Sequence, residues 1–297
     1  MKASIQKFLD SAQTFQCPIC GNALHTAGSS LQCPDRHTFD IAAKGNISFL
    51  RSQHAHDGLY NQSFFENRSA LLSVGLYDHI VREVAHDVSR LPDSHATTLL
   101  DVGCGDGTLT KRLQSLITQS SFDSQHQREQ AVRELTIFAC DISSLAISIA
   151  SRGSNTIRWF MADLANLPIT DSSMDIITDI FSPANYEEFR RVLRPQGSLI
   201  KVIPGKHHLM ELRQEIAKSH GEQPKGYSND DVVQGIEQHC TIEHITTASA
   251  TLQLSKAQWE QFLAMTPLMF HLDKTSIDLD SLRNLTIEAE IVQATMQ

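Results

Sequence analysis

The chain has 297 residues, 41% of them hydrophobic, which is enough for one large domain and a small companion. Its formal charge of −9 excludes a generally basic protein that coats polyanions. With no apolar run of about eighteen residues and no signal peptide, neither a membrane span nor export is expected, and the chain is assigned to the reducing cytoplasm.

The charge is uneven. Residues 1–60 hold five basic and four acidic residues, and the remainder holds 20 and 30. Three of the six cysteines also fall there, in CPICGNALHTAGSSLQCPDRH. Cys17 and Cys20 form one chelating pair, and Cys33 and His37 a second, twelve residues later. Three thiolates and an imidazole at this spacing predict a closed, tetrahedral zinc site that stabilises and does not catalyse. His25 is the alternative fourth ligand, and three free cysteines are the reading without a metal. Loss of the zinc is expected to unfold residues 15–50 and to leave the rest folded.

From Asn61 to Leu91 apolar residues recur three or four apart, which predicts helix. PDSHA breaks that pattern. An alternation of apolar strands and helices then begins. TTLLDV, LTIFAC, TIRWFMA, SMDIITDIF and RPQGSLIKVIP read as strands. GDGTLTKRLQSLI, SSLAISIASR, NYEEFRRVL and KHHLMELRQEIAKSH read as the helices between them. The polar stretch TQSSFDSQHQREQ reads as a surface loop. Two late strands around a helix, TIEHITTASATLQL and LRNLTIEAEIVQAT, suit antiparallel additions at a sheet edge. The alternation argues for an α/β fold with a mostly parallel sheet.

LLDVGCGDGTLTKRL runs a strand into Gly103, Gly105 and Gly107 and then into a helix. The dinucleotide pattern G-x-G-x-x-G fails at Thr108. Asp101 at the strand end would repel a pyrophosphate, but it suits the ammonium of S-adenosylmethionine. Asp141 ends the next strand, where an acid holds ribose hydroxyls. Asp163, after the third strand, is placed to meet the adenine amino group. Helix capping or surface solvation is the alternative for each acid. Taken together, they favour S-adenosylmethionine over NAD.

The chain resembles the bacterial 23S ribosomal RNA guanine-N1 methyltransferases over most of its length. CPIC…CPDRHTFDIAAKG is similar to that family's N-terminal signature, and PGKHHLMELR and FLAMTP to its later segments. DVGCGDG is the general methyltransferase motif. The chain departs from the family pattern at Asn46, at Leu59-Tyr60 and at Phe270. The resemblance implies a Rossmann-like class I methyltransferase fold with a seven-stranded sheet and a small N-terminal zinc-ribbon-like domain. It divides the chain into a zinc-binding RNA-recognition module (1–60), a helical linker (61–95) and an S-adenosylmethionine-dependent methyltransferase domain (96–297). The implied partner is a 23S rRNA hairpin, with no membrane, and a homodimer is left open.

Asp179, His207 and His208 border the expected crevice and are the candidates for a general base; each also has a structural reading. Phe181, Phe270 and Trp259 are candidate stacking surfaces. A small-molecule methyltransferase acting on a quinone or phenol, or an inactive zinc-bearing RNA-binding protein, are the competing readings.

Overall fold

A computed structural model describes residues 2–51, 60–91, 96–123, 134–153, 156–223 and 227–297. The departure at Leu59 and most of the expected polar loop lie outside the described residues. In chain order, α1 (Ala3–Leu9) precedes a small antiparallel sheet of β1 (His25–Ala27), β2 (Ser30–Gln32) and β3 (Thr38–Asp40). Then come β4 (Asn46–Ser48), α2 (Gln62–Ser73) and α3 (Asp78–Arg90). The alternating part contains β5 (Ala96–Val102), α4 (Thr108–Asp123), β6 (Glu134–Asp141), α5 (Ser144–Ala150) and β7 (Arg158–Met161). It continues through β8 (Met174–Ile180), α6 (Tyr186–Val192), β9 (Leu193–Pro204), α7 (Met210–Ser219) and α8 (Asp230–Glu237). β10 (Cys240–Gln253), α9 (Lys256–Met265) and β11 (Asn284–Met296) complete it. Among the described residues no helix is long and apolar enough to cross a membrane.

The large sheet has the order β10-β11-β9-β8-β5-β6-β7-β4. Its strands run parallel from β4 to β9, and β11 and β10 add antiparallel at the edge. The seven strands after residue 95 are the expected Rossmann-like sheet. The eighth, β4, comes from the N-terminal part and was not foreseen. β5 pairs with both β6 and β8, so the chain reverses direction across the sheet there. Crevices at the carboxyl ends of strands open at such a switch point.

Strand pleating divides the core into two layers. On β6, Ile137 and Ala139 join the layer of α2, α3, α4, α5 and α9, and Phe138 and Cys140 join the other. That second layer is unusual because residues 162–173, between β7 and β8, contain no helix. The N-terminal part covers the bare face instead. Phe8, Phe15, Leu31 and Phe49 share one core with Phe138, Phe160, Leu167 and Ile169. Backbone bonds stitch the two parts, from Gln16 N–H to the Pro168 carbonyl (3.1 Å), Thr170 N–H to Thr14 (3.0 Å) and Phe49 N–H to Met161 (3.0 Å). This shared core argues against residues 15–50 unfolding alone.

Two further differences from the sequence reading have local causes. The helix expected from 61 to 91 is broken at Gly75, which takes φ +88. Gly75 N–H bonds to the Leu72 carbonyl and Leu76 N–H to Leu71, a Schellman ending that stops α2 before α3 starts. α4 runs on to Asp123, past the expected loop start at Thr118, because no glycine or proline interrupts it. Phe15→Ala is expected to cost about 3–5 kcal/mol by opening a cavity in this joint core. Urea unfolding followed by circular dichroism and by Trp159 and Trp259 emission should shift by the same amount with both probes.

Candidate functional site

The metal centre is built by two tight turns. Cys17 N–H bonds to the Asn22 carbonyl and Gly21 N–H to Cys17, with Gly21 at φ +72. In the second turn Cys33 N–H bonds to His37 and Arg36 N–H to Cys33, with Arg36 at φ +66. These turns bring the donor atoms of Cys17, Cys20, Cys33 and His37 within 4.8 Å of one another. His37 Nδ1 lies 3.3 Å from Cys33 Sγ and 3.5 Å from Cys17 Sγ, and the Cys20 and Cys33 sulfurs are 3.6 Å apart. A tetrahedral zinc with bonds of about 2.0–2.3 Å needs its ligands about 3.5–3.8 Å apart, so the set fits zinc. His25 is outside the cluster. Four protein donors leave no coordination position open, which makes the site structural.

At the switch point, Gly103, Gly105 and Gly107 all take positive φ, but for different purposes. A Cβ on Gly103 would lie 2.1 Å from Ser182 Oγ, and one on Gly107 would lie 2.6 Å from the Trp159 ring. Those two glycines permit close packing. A Cβ on Gly105 would meet nothing within 4 Å, so this backbone faces an open cradle. Asp141 closes one side of it, accepting from Gly105 N–H (2.9 Å) and from Ser143 N–H (2.8 Å). Asp163 sits half-buried after β7 and accepts from Ala165 N–H at 2.9 Å. The cradle, its acidic rim and the adjoining turn suit S-adenosylmethionine, which supplies an electrophilic methyl on a sulfonium.

Asp101 is not at the rim. It is only 3% exposed, and it accepts from Thr110 Oγ1 at 2.5 Å and Thr178 Oγ1 at 2.8 Å. Burial lifts its pKa to about 6, against the pull of the two hydroxyls and with a push from Asp141. The alternation along β5 turns it towards α4, where it fastens the glycine turn from beneath.

The candidate bases separate in the same way. Asp179 is fully buried and paired with Lys201 Nζ at 2.7 Å. Burial pushes its pKa up to about 7 despite that lysine. Lys201 also donates to the Ser182 carbonyl at 3.0 Å, so the pair braces the turn after β8. His208 is buried, with Nδ1 2.7 Å from the Glu288 carbonyl, and burial lowers its pKa to about 4. His207 is half-exposed beside the Glu288 carboxylate.

Among the aromatics, Trp259 is core. Phe181 (φ +56) packs between Tyr77 and His208, at 5.7 and 5.5 Å. Phe270 contacts Tyr60 at 5.3 Å. Burial raises the Tyr60 phenol pKa and the Asp141 charge raises it further. Lys201 and Glu288 escaped the sequence reading, and Tyr60 entered it only as a departure from the family pattern. The one available signal was Lys201 itself, a charge inside the apolar run SLIKVIP.

One zinc per chain is expected by native mass spectrometry. Cys33→Ser should lose it, because three donors remain around a position built for four.

Comparison with known proteins agrees with this two-part site. A family model described as RlmA, N-terminal, a zinc ribbon, matches residues 15–57, and a methyltransferase domain model matches residues 99–197. A Bacillus subtilis (strain 168) protein named as a candidate 23S rRNA (guanine-N1)-methyltransferase is 32% identical over 270 residues, 89% of this chain and 90% of the relative. A Micromonospora griseorubida protein of the same description is 27% identical over 276 residues, 87% of each chain. The 23S rRNA (guanine(748)-N(1))-methyltransferase of Streptomyces fradiae is 29% identical over 201 residues, 66% of this chain and 65% of that one. Identity at the level of the Bacillus relative, across both the ribbon and the methyltransferase part, means that the chain belongs to the 23S rRNA (guanine-N1)-methyltransferase family and is an S-adenosylmethionine-dependent enzyme.

Proposed function

We propose that the protein methylates N1 of a guanine in a 23S rRNA hairpin, in the cytoplasm. The observation that carries this reading is the Bacillus relative, named for that activity and aligned along nine-tenths of both chains. The crevice supplies the chemistry. Asp141 is placed to hold the two ribose hydroxyls and Asp163 the adenine amino group. Gly105 lets the backbone approach the methionine part, the close packing of Gly103 on Ser182 shapes the turn beside it, and Asp101 keeps that turn rigid. Alignment of the attacking atom with the methyl group lowers such a barrier by about 7–11 kcal/mol.

N1 lies on the Watson–Crick edge, so the guanine has to be unpaired. Extrusion from a helix costs a few kcal/mol, whereas a hairpin loop already presents its bases. Residues 1–60 are the less repelled surface for RNA and serve as its recognition module. Residues 61–95 link that module to the methyltransferase domain of residues 96–297. The zinc site and the cradle both form within one chain, so neither site needs a homodimer.

Two experiments test the reading. Asp141→Ala removes an acceptor for two hydroxyls, each charge-assisted bond being worth about 1.5–3 kcal/mol. Calorimetry should therefore show S-adenosylmethionine binding weakened at least about tenfold, and NAD binding tighter than S-adenosylmethionine would reject the cofactor site. A methyl at N1 blocks pairing, so ribosomal RNA from cells lacking the enzyme should gain one reverse-transcriptase stop after treatment with protein and cofactor. Absence of a stop, with methylation of a phenol or quinone, would replace this reading by the small-molecule one. Absence of any turnover would favour an RNA-binding role.

A further inference from the structure

We propose that His207 accepts the N1 proton of the target guanine and that Glu288 is the positioning residue that fixes its tautomer. The inference rests on guanine N1 being the methylated atom. Its basis is the way one residue of β11 holds the whole turn after β9.

Glu288 is the hub of that turn. Its carbonyl accepts from Gly205 N–H at 2.9 Å and lies 2.7 Å from His208 Nδ1. Its carboxylate accepts from His207 N–H at 2.9 Å and lies 3.1 and 3.2 Å from His207 Nδ1. The approach is so close that a Cβ on Gly205 would come within 2.6 Å of Glu288 Cγ. Burial works to raise the Glu288 pKa, but the backbone and ring bonds from His207 and its charge outweigh that and hold it below the usual range. An ionised carboxylate only accepts hydrogen bonds, so Nδ1 carries the proton and Nε2 keeps a lone pair. The His207 side chain is 56% exposed.

The turn follows the carboxyl end of β9, and crevices in such sheets open beyond the carboxyl ends of the parallel strands. His208, the next residue, packs its ring on Phe181, and Ser182, next to Phe181, packs on Gly103 of the glycine turn. The other candidate bases are spent elsewhere, Asp179 on Lys201 and His208 on the Glu288 carbonyl. The charged and titratable groups around the dyad are Lys206 and His208 on the same turn. Arg213 on α7 and His79 on α3 act on His208, and Ser249 on β10 bonds to Glu288.

In the step itself the N1–H bond breaks and an Nε2–H bond forms. The electron pair stays on N1, where it bonds to the incoming methyl carbon, and the sulfonium leaves as a neutral thioether. The imidazolium formed lies against the Glu288 carboxylate and later gives its proton to water. A positioned general base contributes about 10²–10⁴ in rate.

Nitrogen-15 NMR of the ring nitrogens, on protein without RNA or cofactor, tests the dyad directly, with His207→Gln assigning the signal. Nδ1 should be protonated and Nε2 bare in the wild type. Glu288→Gln should disturb that tautomer, because its amide oxygen takes the His207 N–H and its NH2 group faces Nδ1. His207→Gln should lower the single-turnover rate on the RNA by about 10²–10⁴ at a fixed pH. A His207→Gln variant with the wild-type rate, or an Nε2-protonated wild type, would overturn the inference. If the wild type puts no methyl on guanine N1, the preceding reading fails, and the NMR result still judges the dyad by itself.

Discussion

The ring of Phe15 is fully buried where the zinc ribbon meets the large sheet. It packs on Phe8 and Phe49 from the N-terminal part and on Phe138 and Phe160 from β6 and β7, with centroids 5.3–6.0 Å apart. Aromatic pairs at such distances add about 0.5–1.5 kcal/mol each beyond the area they bury. Cys17, the first metal ligand, is two residues further on. A metal held by Cys17 would fix the segment that presents Phe15, and Phe15 covers a sheet face that no helix between β7 and β8 covers. Order at the metal and order in the sheet become one problem.

The same sheet supports a crevice whose floor is acidic. Asp101 and Asp179 are both buried beneath the glycine turn, with pKa values lifted to about 6 and about 7. Asp101 raises the cost of ionising Asp179, Asp141 raises that of Asp101, and Asp179 has a lysine against it. A floor of this kind disfavours a pyrophosphate and favours a ligand that carries positive charge, as the sulfonium and ammonium of the cofactor do. Above that floor, Asp141 and Asp163 are held by backbone N–H groups of the turns they border.

Much of this was legible in the sequence because its signals are local. The knuckles Cys17-x2-Cys20 and Cys33-x3-His37, the glycine turn after β5 and the acid at the end of β6 are each set by a few neighbouring residues. What stayed hidden depends on partners far along the chain. β4 looks like part of the ribbon until Ile47 pairs with Phe160. Asp101 looks like a ligand contact until Thr110 and Thr178 take its oxygens. Glu288 sits in the ordinary strand pattern TIEAEIV and becomes special only when the turn from Gly205 to His208 closes on it. The break at Gly75 was readable in principle, since a glycine followed three residues later by a new helix start is a familiar stop signal.

Hydrogen exchange on metal-loaded and chelator-treated protein tests the central claim, that ribbon and sheet share one core, most directly. Loss of the zinc should strip protection from residues 15–50 and also from the amides of β6 and β7 around Phe138 and Phe160, whose aromatic cover it removes. Deprotection confined to residues 15–50, with β6 and β7 as slow as before, would contradict the account.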